Sequence, residues 1–351
     1  MTETKESEKR QMSNPKILMI GGNGALGVYL KEEALKAGYR VDIVCLEDER
    51  SDRPELTFIN HSGKDLGFMS GLVKNGYDAI VDFMIYPTLE EYVPFCDLYL
   101  ASTGHYLFLS SYRVYAGAYP ITEDSPRLLD VEKPADFVSE REYSIYKAQE
   151  EDYIRSTGYR NWTILRPSVT YSKNRFQLTV LEANVFVWRM LRGKTVVLPE
   201  SAMDVEGTLS WAGDFGKSVV RLLFNEQAYG EAFTVSTAEH HSWREIAEIY
   251  RRIGGLKYVT VDDGTFLEGL YDGSAYHYQQ LRYDRCFHRI IDNTKLLEAT
   301  GRRQSDFMRL EDGLRMELAS YDGSLYSGDR NDRMDRMLAA IPHDLRQHGK
   351  I

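Results

Sequence analysis

The most constraining feature of the sequence is a buried-strand pattern that runs directly into regularly spaced glycines. Residues 16–21 (KILMIG) are followed at once by 22–27 (GNGALG), and a helical pattern then extends to Gly38. In a strand–turn–helix unit, glycines at this spacing allow a tight turn, a close backbone approach to a pyrophosphate and close packing of the helix. The pattern therefore predicts a dinucleotide-binding turn made by Gly21, Gly22, Asn23, Gly24, Ala25, Leu26 and Gly27.

Further apolar runs of strand length follow and alternate with helical stretches. They are residues 40–46, 57–60, 79–84, 106–110 and 162–167. This alternation predicts an α/β fold, a doubly wound parallel Rossmann sheet with a smaller mixed α/β C-terminal substrate lobe. The expected domains are a disordered head (1–14), an NAD(P)-binding domain (15–170, with segments near 208–236 returning to it), a substrate lobe (171–320) and a peripheral extension (321–351).

Charge and cysteine content limit the possible partners. The formal net charge is −10, which argues against nucleic acid and anionic membranes as main partners. The three cysteines show no CxxC or metal-ligand spacing. No apolar run approaches the ~18–20 residues that span a bilayer, and the polar first residues do not resemble a signal peptide. A soluble, cytoplasmic protein without a metal is expected.

The end of the second strand bears on the choice of cofactor. A carboxylate about 20 residues beyond the glycines usually binds the ribose of NAD, but this register falls on Cys45, 45 − 27 = 18 residues after the last glycine. Glu47 is the predicted ribose ligand, which favours NAD, while Arg50 or Arg53 leaves NADP open. Asp65, after the third strand, is either an adenine-side contact or a solvated loop acid.

A second pattern carries chemistry. Tyr143 and Lys147 lie four residues apart on a predicted helix, and hence on one face. Ser139 and Glu142 predict a capping box at its start. A tyrosine with an ordinary pKa of ~10 is a poor base at neutral pH, and a neighbouring ammonium favours its phenolate. The pair alone is expected by chance among 24 tyrosines, so its significance comes from Ser111, which precedes it at a strand end.

Four motifs occur in order: the glycine turn, a Ser-x-x-Val-Tyr segment ending at Tyr115, Tyr-x-x-x-Lys, and Arg166-Pro167. Together they resemble the extended short-chain dehydrogenases/reductases, the group of nucleotide-sugar epimerases, dehydratases and reductases. Segments PITEDSP, SWAGDF and IDNTK, which begin at Pro120, Ser210 and Ile291, are similar to further family segments, and the resemblance covers about residues 15–318.

The resemblance implies roles for individual residues. Ser111 would polarise the substrate, Tyr143 would be the acid/base and Lys147 would activate it. The implied cofactor contacts outside the glycine turn are Phe83, Lys147, Pro167 and Val169. Tyr112-Arg113 stands where the family's 4,6-dehydratases carry Asp-Glu, so dehydration is disfavoured. A homodimer through the two helices that flank the sheet is also implied.

The substrate side is less defined. The candidate contacts are Arg113, Tyr278, Arg282 and Arg285. The arginines, with Arg289, either clamp a diphosphate or form an ion-paired face. The tyrosines of segment 265–285 form either a substrate wall or a packing surface between lobes. His240-His241 lacks metal-type spacing and is read as a solvated helix start.

The predicted function is an NAD(P)-dependent oxidoreductase or epimerase acting on a hydroxyl or keto carbon, with a nucleotide sugar as the first expectation. One alternative is a reductase or dehydrogenase of a non-sugar small molecule. Another is a non-catalytic dinucleotide-binding or RNA-associated protein on the same fold.

Overall fold

The computed structural model of the protein describes residues 14–137, 142–173 and 175–341. Within these residues the chain forms fifteen strands and twelve α-helices. The strands are, in chain order, β1 (Lys16–Ile20), β2 (Arg40–Cys45), β3 (Leu56–Asn60), β4 (Tyr77–Asp82), β5 (Thr103–Leu109), β6 (Trp162–Leu165), β7 (Val169–Tyr171), β8 (Gln177–Leu178), β9 (Leu181–Glu182), β10 (Thr195–Pro199), β11 (Glu206–Gly207), β12 (Leu209–Trp211), β13 (Glu231–Phe233), β14 (His241–Ser242) and β15 (Lys257–Val261).

The helices alternate with the strands in the first half of the chain and dominate the second half. They are α1 (Gly27–Lys36), α2 (Leu66–Leu72), α3 (Leu89–Ser102), α4 (Tyr143–Ser156), α5 (Phe186–Met190), α6 (Ala212–Leu222), α7 (Trp243–Gly254), α8 (Asp263–Tyr271), α9 (Ala275–Gln280), α10 (Thr294–Thr300), α11 (Leu310–Ser320) and α12 (Gly328–Ala340). No described helix is long and apolar enough to cross a membrane.

Seven strands form one parallel sheet in the order β13-β6-β5-β4-β1-β2-β3. The order reverses at β1, which pairs with β2 on one side and β4 on the other. Ligands of open α/β sheets bind outside the carboxyl ends of the strands at such a reversal. The predicted doubly wound Rossmann sheet is therefore confirmed, and its topology indicates where a site should lie.

Both faces of this sheet are covered, which explains why β1 is apolar without interruption. Successive residues of a strand point to opposite faces. Ile17 and Met19 pack against residues of α1 and α6, while Leu18 and Ile20 pack against α3 and α4. Each fully buried aliphatic side chain contributes about 1.5–3 kcal/mol, so this strand holds the two layers together directly before the glycine turn.

A second hydrophobic cluster lies beyond the sheet and forms the core of the lobe. The parallel pair β10–β15 contributes to it together with helices α5, α7, α8, α11 and α12. Trp243 and Phe266 are buried there. The helix α12 is attached by buried Met334 and by an ion pair of 2.6 Å between Asp335 and the buried Arg189.

The strands predicted from the sequence are present with shifts of a few residues, and β13 joins the sheet as an edge strand. The start of α4 differs from the prediction. Glu142, not Ser139, is the N-cap, and its carboxylate accepts hydrogen bonds from the backbone N–H groups of Ser144 and Ile145. Ser139 itself lies outside the described residues. At its other end, α4 is followed by Gly158 with φ +76°, a conformation that favours glycine.

Candidate active site

A cavity of about 440 Å³ opens at the carboxyl ends of β1, β4 and β5, beside the reversal in strand order. It brings together most residues that the sequence singled out. Of the predicted cofactor and catalytic residues, those that line it are Gly21, Gly24, Ala25, Leu26, Gly27, Phe83, Ser111, Tyr143, Lys147 and Val169. Those that belong to the same segments but do not line it are Gly22, Asn23 and Pro167.

Each glycine of the turn is required, or leaves space, for a different local reason. Gly21 has φ +71°, a conformation that favours glycine. A Cβ at Gly27 would lie 2.1 Å from the carbonyl oxygen of Gly22, so only glycine allows α1 to pack this closely. A Cβ at Gly24 would meet only the Gly21 carbonyl oxygen, at 3.7 Å, so the space beside Gly24 is open. The turn thus provides a close backbone approach to the cavity.

The N-terminus of α1 also points to an anion site. The helix begins at Gly27, and no side chain caps its N-terminus. The first N–H groups of a helix lack intrahelical partners and carry partial positive charge. Ala25 and Leu26 lead into this turn and line the cavity. A phosphate group could be held here by backbone donors alone.

Ser111 lies two residues after the end of β5. Its Oγ accepts a hydrogen bond of 3.2 Å from the backbone N–H of Arg113 and so caps a short 3-10 turn, Tyr112–Val114. A hydroxyl that accepts such a bond can still donate its own hydrogen to a ligand. The next residue is fixed as well, because the Tyr112 N–H donates to the Pro167 carbonyl oxygen at 3.0 Å.

Tyr143 is the first residue of α4 and is held from two sides. Arg113 lies over its ring, with 5.1 Å from the guanidinium carbon to the ring centroid. The same guanidinium donates to the N-cap carboxylate of Glu142 at 2.8 Å. Tyr146 packs edge-on against Tyr143 with 5.4 Å between ring centroids. The phenol therefore occupies a defined position at the mouth of the helix.

Lys147 lies one turn further along α4, and its side chain is 1% exposed. Its ammonium is 3.0 Å from the carboxylate of Glu150, donates to the carbonyl oxygen of Met84 at 3.4 Å and lies 4.5 Å from the centroid of the Phe108 ring. The ammonium is therefore held between a carboxylate, a backbone carbonyl oxygen and an aromatic ring.

The next residue, Glu151, faces a different environment. It accepts hydrogen bonds from Ser110 Oγ at 2.6 Å and from Arg166 at 2.6 and 2.9 Å. Burial alone would raise the pKa of Glu151, but the Arg166 guanidinium lowers it to about 2. This ion pair fixes α4 to the ends of β5 and β6 and so orients Tyr143 and Lys147 towards the cavity.

The lobe side of the cavity is organised around one buried aspartate. Asp284 forms ion pairs with Arg285, with Arg289 at 3.3 Å and with Arg113 at 3.5 Å. Burial alone would raise the pKa of Asp284, but the three guanidinium groups lower it. Arg285, which lines the cavity, also donates to Gln177 Oε1 at 3.1 Å. The arginines are therefore an ion-paired group, of which Arg113 and Arg285 reach the cavity.

The other predicted substrate contacts lie elsewhere. Tyr278 donates its hydroxyl hydrogen to Asp136 and is not among the lining residues, and Arg282 is exposed. Sequence reasoning missed several polar lining residues on the lobe side. These are Arg175, Gln177, Glu182 and Gln280. Arg175, Gln177 and Glu182 come from short strands and turns without a recognisable motif, and Gln280 ends α9. Among the neighbouring residues, the tyrosine-rich segment gave a signal for this wall through Tyr276.

The predicted ribose and adenine contacts also do not line the cavity. Cys45 is buried at the end of β2, where burial raises the pKa of its thiol. Glu47 is exposed just beyond it. Asp65 caps α2 by accepting from the Phe68 N–H at 3.0 Å, and this bond is the main reason why its pKa is lowered. The local role of Asp65 is thus a helix cap, and its second partner is His61 at 2.9 Å.

Comparison with known proteins gives few sequence matches and many structural ones. No family model matches the chain. Chloroplast stem-loop binding protein of 41 kDa b from Arabidopsis thaliana is 23% identical over 259 residues, which is 70% of this chain and 64% of that protein. The chain thus spans less than two thirds of the length of this curated relative.

Solved structures match over almost their whole length. WbmG from Bordetella bronchiseptica, in complex with NAD and UDP, has a TM-score of 0.68 at 19% identity and covers 92% of this chain and 98% of its own. UDP-glucose 4-epimerase from Thermotoga maritima, with UDP-glucose, has a TM-score of 0.65 at 16% identity over 87% and 97%. The enzyme of the same name from Thermus thermophilus, with NAD, has a TM-score of 0.64 at 17% identity over 88% and 99%.

The chain has the UDP-glucose 4-epimerase fold. The predicted resemblance to the extended short-chain dehydrogenases/reductases is confirmed at the level of this fold. Within the epimerase fold, the cavity at the strand reversal contains the glycine turn together with Ser111, Tyr143 and Lys147.

Proposed function

We propose that the protein is an NAD-dependent enzyme that acts on a hydroxyl- or keto-bearing carbon of a nucleotide sugar, with epimerisation as the outcome. The observation that carries this proposal is that Ser111, Tyr143 and Lys147 line the same cavity as the glycine turn. Further support comes from the similar solved structures, which are complexes with NAD, with NAD and UDP, or with UDP-glucose.

The residues of the cavity fit a dinucleotide. Open space beside Gly24 and the uncapped N-terminus of α1 suit a pyrophosphate. Phe83 and Val169 supply apolar lining for a nicotinamide ring, and Lys147 supplies a cation for ribose hydroxyls. When bound, NAD supplies the hydride acceptor for oxidation of the substrate carbon.

The side chains of this protein handle the proton and the oxygen. Ser111 donates a hydrogen bond to the substrate oxygen and holds it beside Tyr143. The Tyr143 phenolate accepts the hydroxyl proton as the carbon–oxygen double bond forms, and the phenol returns the proton when the carbonyl is reduced. Lys147, one turn further along α4, supplies the positive charge that a phenolate base requires beside it.

The test combines cofactor identification with a single-atom change. Native mass spectrometry of the purified protein is expected to find retained NAD, and nucleotide sugars such as UDP-glucose are then assayed for turnover. Tyr143→Phe removes only the phenolic oxygen, so turnover should fall by about 10²–10⁴-fold while NADH affinity stays nearly unchanged. Tyr159→Phe, an exposed tyrosine beyond the end of α4, is the matched control and should keep full turnover.

Other outcomes separate the alternatives. Exchangeable NADPH in place of retained NAD, with net reduction of a carbonyl, supports the reductase or dehydrogenase function. Full turnover in Tyr143→Phe rejects the proposed acid/base role.

A second candidate function is RNA association. It is favoured by the 23% identity to a protein named as a stem-loop binding protein, although the net charge of −10 opposes binding to a phosphate backbone. Fluorescence anisotropy of a labelled RNA hairpin at low and moderate salt is the direct test. Failure to bind even at low salt would reject this function.

A further inference from the structure

Glu150 is a buried carboxylate that lies behind the cavity and outside its lining. It follows Lys147 by one turn of α4, and its side chain is completely buried. The lysine ammonium is 3.0 Å away. Within the described residues, neither carboxylate oxygen has a partner with hydrogen-bond geometry. Lys147 therefore provides the positive charge that offsets the buried charge of Glu150. A change in the charge of Glu150 changes the strength of this ion pair.

A second buried carboxylate belongs to the same region. Asp82 ends β4 and is fully buried. It accepts hydrogen bonds from the Met84 N–H at 2.9 Å and from the hydroxyls of Tyr86 and Tyr106 at 3.2 and 3.1 Å. Lys147 attracts this carboxylate as well, and Asp82 disfavours ionisation of Glu150. Two buried carboxylates thus share one ammonium.

The charge balance of this group is unfavourable when both acids are ionised. An ionised carboxylate that is buried without its own cation loses several kcal/mol of hydration free energy. Such a group binds a proton and becomes neutral instead. Burial raises the pKa of Glu150 to about 7 and that of Asp82 to about 6. One proton is therefore bound or released by this group near neutral pH.

The other titratable groups around the two acids do not exchange protons in this range. They come from the loop after β4, from α3, α4, β5 and β6, and they are Tyr86, Tyr92, Cys96, Tyr99, Tyr106, Tyr146, Glu151 and Arg166. Burial raises the pKa of the Cys96 thiol to about 12 and those of the tyrosines above their usual value. Glu151 stays ionised because Arg166 neutralises it.

We propose that Glu150 is a positioning residue for Lys147, and that Glu150 and Asp82 hold one exchangeable proton that sets how strongly the lysine is drawn back from the cavity. With the proton bound, the ammonium is attracted weakly and is available to ribose hydroxyls and to Tyr143. With the proton released to water, the ammonium is held in the ion pair. The positioning role rests on the proposed function, whereas the proton-holding pair does not.

The proton is measured directly by infrared difference spectroscopy of the full chain during a pH titration. The carbonyl stretch of a protonated carboxylic acid should disappear in the wild type with a midpoint near the Glu150 pKa of about 7. Glu150→Gln should remove the transition near pH 7, because Lys147 then has Asp82 as its one buried carboxylate and favours its ionised form. Asp82→Asn removes the neighbouring negative charge and should move the midpoint to lower pH. Asp152→Asn, an exposed acid of the same helix, should leave it in place.

The availability of Lys147 is tested by measuring NADH affinity in fluorescence titrations from about pH 6 to about pH 8.5. Linkage to one proton allows this affinity to change at most about tenfold per pH unit. Wild-type affinity should fall with rising pH, and Glu150→Gln should flatten this slope. Glu150→Asp keeps a carboxylic acid and should restore the infrared transition, which also guards against a folding defect in the glutamine variant.

The outcomes are separable. An infrared transition that is absent in the wild type, or that persists in Glu150→Gln, overturns the proton-holding pair. Equal NADH slopes in wild type and Glu150→Gln overturn the positioning role. An infrared transition without any NADH binding overturns the positioning role together with the proposed function, while the proton-holding pair stands.

Discussion

The cavity has two halves that are built in different ways. The glycine half is lined by small or apolar residues, namely Gly21, Gly24, Ala25, Leu26, Gly27 and Phe83. The lobe half is lined by side chains that are mostly charged or amide, namely Arg113, Arg175, Gln177, Glu182, Tyr276, Gln280 and Arg285. The glycine half depends on the absence of side chains, while the lobe half depends on the balance of charges among them.

This difference teaches where each half is sensitive. A backbone turn has no charge to lose, but it has no room for a Cβ where helix and turn touch. In the lobe half, three guanidinium groups surround the carboxylate of Asp284. Volume should therefore govern the glycine half and charge should govern the lobe half, and four measurements test this contrast.

The largest effect is expected from Asp284→Asn. The change preserves shape but leaves Arg285 and Arg289 without their buried counter-charge and leaves Arg113 with Glu142 alone, which should cost about 3–5 kcal/mol of unfolding free energy. Urea unfolding at neutral pH measures this loss, and NADH affinity should change little. Asp272→Asn, a change at an exposed acid that pairs with Arg333, is the matched control and should unfold like the wild type. A stable Asp284→Asn protein would contradict charge control of the lobe half.

The reverse pattern is expected for Gly27→Ala. The added Cβ would lie 2.1 Å from the Gly22 carbonyl oxygen, so the turn must shift. This shift should lower the unfolding free energy by an amount at the upper end of the range of about 1–3 kcal/mol that overpacking costs. NADH titration should show loss of cofactor binding with this single methyl group. Gly71→Ala, where no atom lies within 4 Å of the new Cβ, should bind NADH normally. Normal binding by Gly27→Ala would show that volume does not control this half.

Two buried acids, Glu150 of α4 behind the cavity and Asp284 beside the lobe half, should respond oppositely to pH. The folded-state pKa of Glu150, about 7, lies above its ordinary value of 4.5. Its contribution to stability is therefore complete below about pH 4.5 and is lost as the pH rises through 7. Between pH 5 and 8 the wild type should lose on the order of 2 kcal/mol relative to Glu150→Gln.

Asp284 has a lowered pKa, so its contribution is present above its ordinary value of 3.8 and is lost only as the pH falls below it. The stability difference between wild type and Asp284→Asn should therefore stay constant from pH 5 to 8. Urea unfolding at several pH values checks both differences. The contrast would be removed if the stability difference between wild type and Glu150→Gln did not change with pH. It would also be removed if the difference between wild type and Asp284→Asn did change with pH.

The smallest effect on stability is expected from Arg175→Ala. Arg175 lines the lobe half, and within the described part of the chain its guanidinium has no ion-pair partner. Its removal should leave stability and NADH affinity unchanged and should raise the KM for a nucleotide sugar about tenfold, as for one charge-assisted contact of about 1.5 kcal/mol. Arg303→Ala, a highly exposed arginine, is the control. An unchanged KM would exclude Arg175 from substrate binding.

The sequence predicts the two halves unequally, for a physical reason. The glycine half is local, because one turn of seven residues joins a strand to a helix and carries its own periodic signal. The lobe half joins residues that are distant in the chain, such as Arg113 and Arg285, 285 − 113 = 172 residues apart. Both were named as substrate candidates, but their common partner Asp284 was not, since pairing across such a distance depends on tertiary packing.

Single residues show the same limit. Asp65 is an acid after a strand, as a ligand contact would be, but its local role is to cap a helix. Glu150 and Glu151 are adjacent acids that look solvated in the sequence, yet both are buried against different cations. The spacing of three between Lys147 and Glu150 was the available signal, because such residues share a helix face.

The position of β13 in the sheet has a consequence for how the protein is made. Its partner β6 ends at Leu165 and β13 begins at Glu231, 231 − 165 = 66 residues later. At synthesis rates of about 5–20 residues per second, β6 waits roughly 3–13 s on the ribosome for its neighbour. During this interval its backbone N–H and C=O groups form an open edge that other nascent chains can pair with. Of the seven strands of the sheet, β13 at the edge is therefore the last to be added.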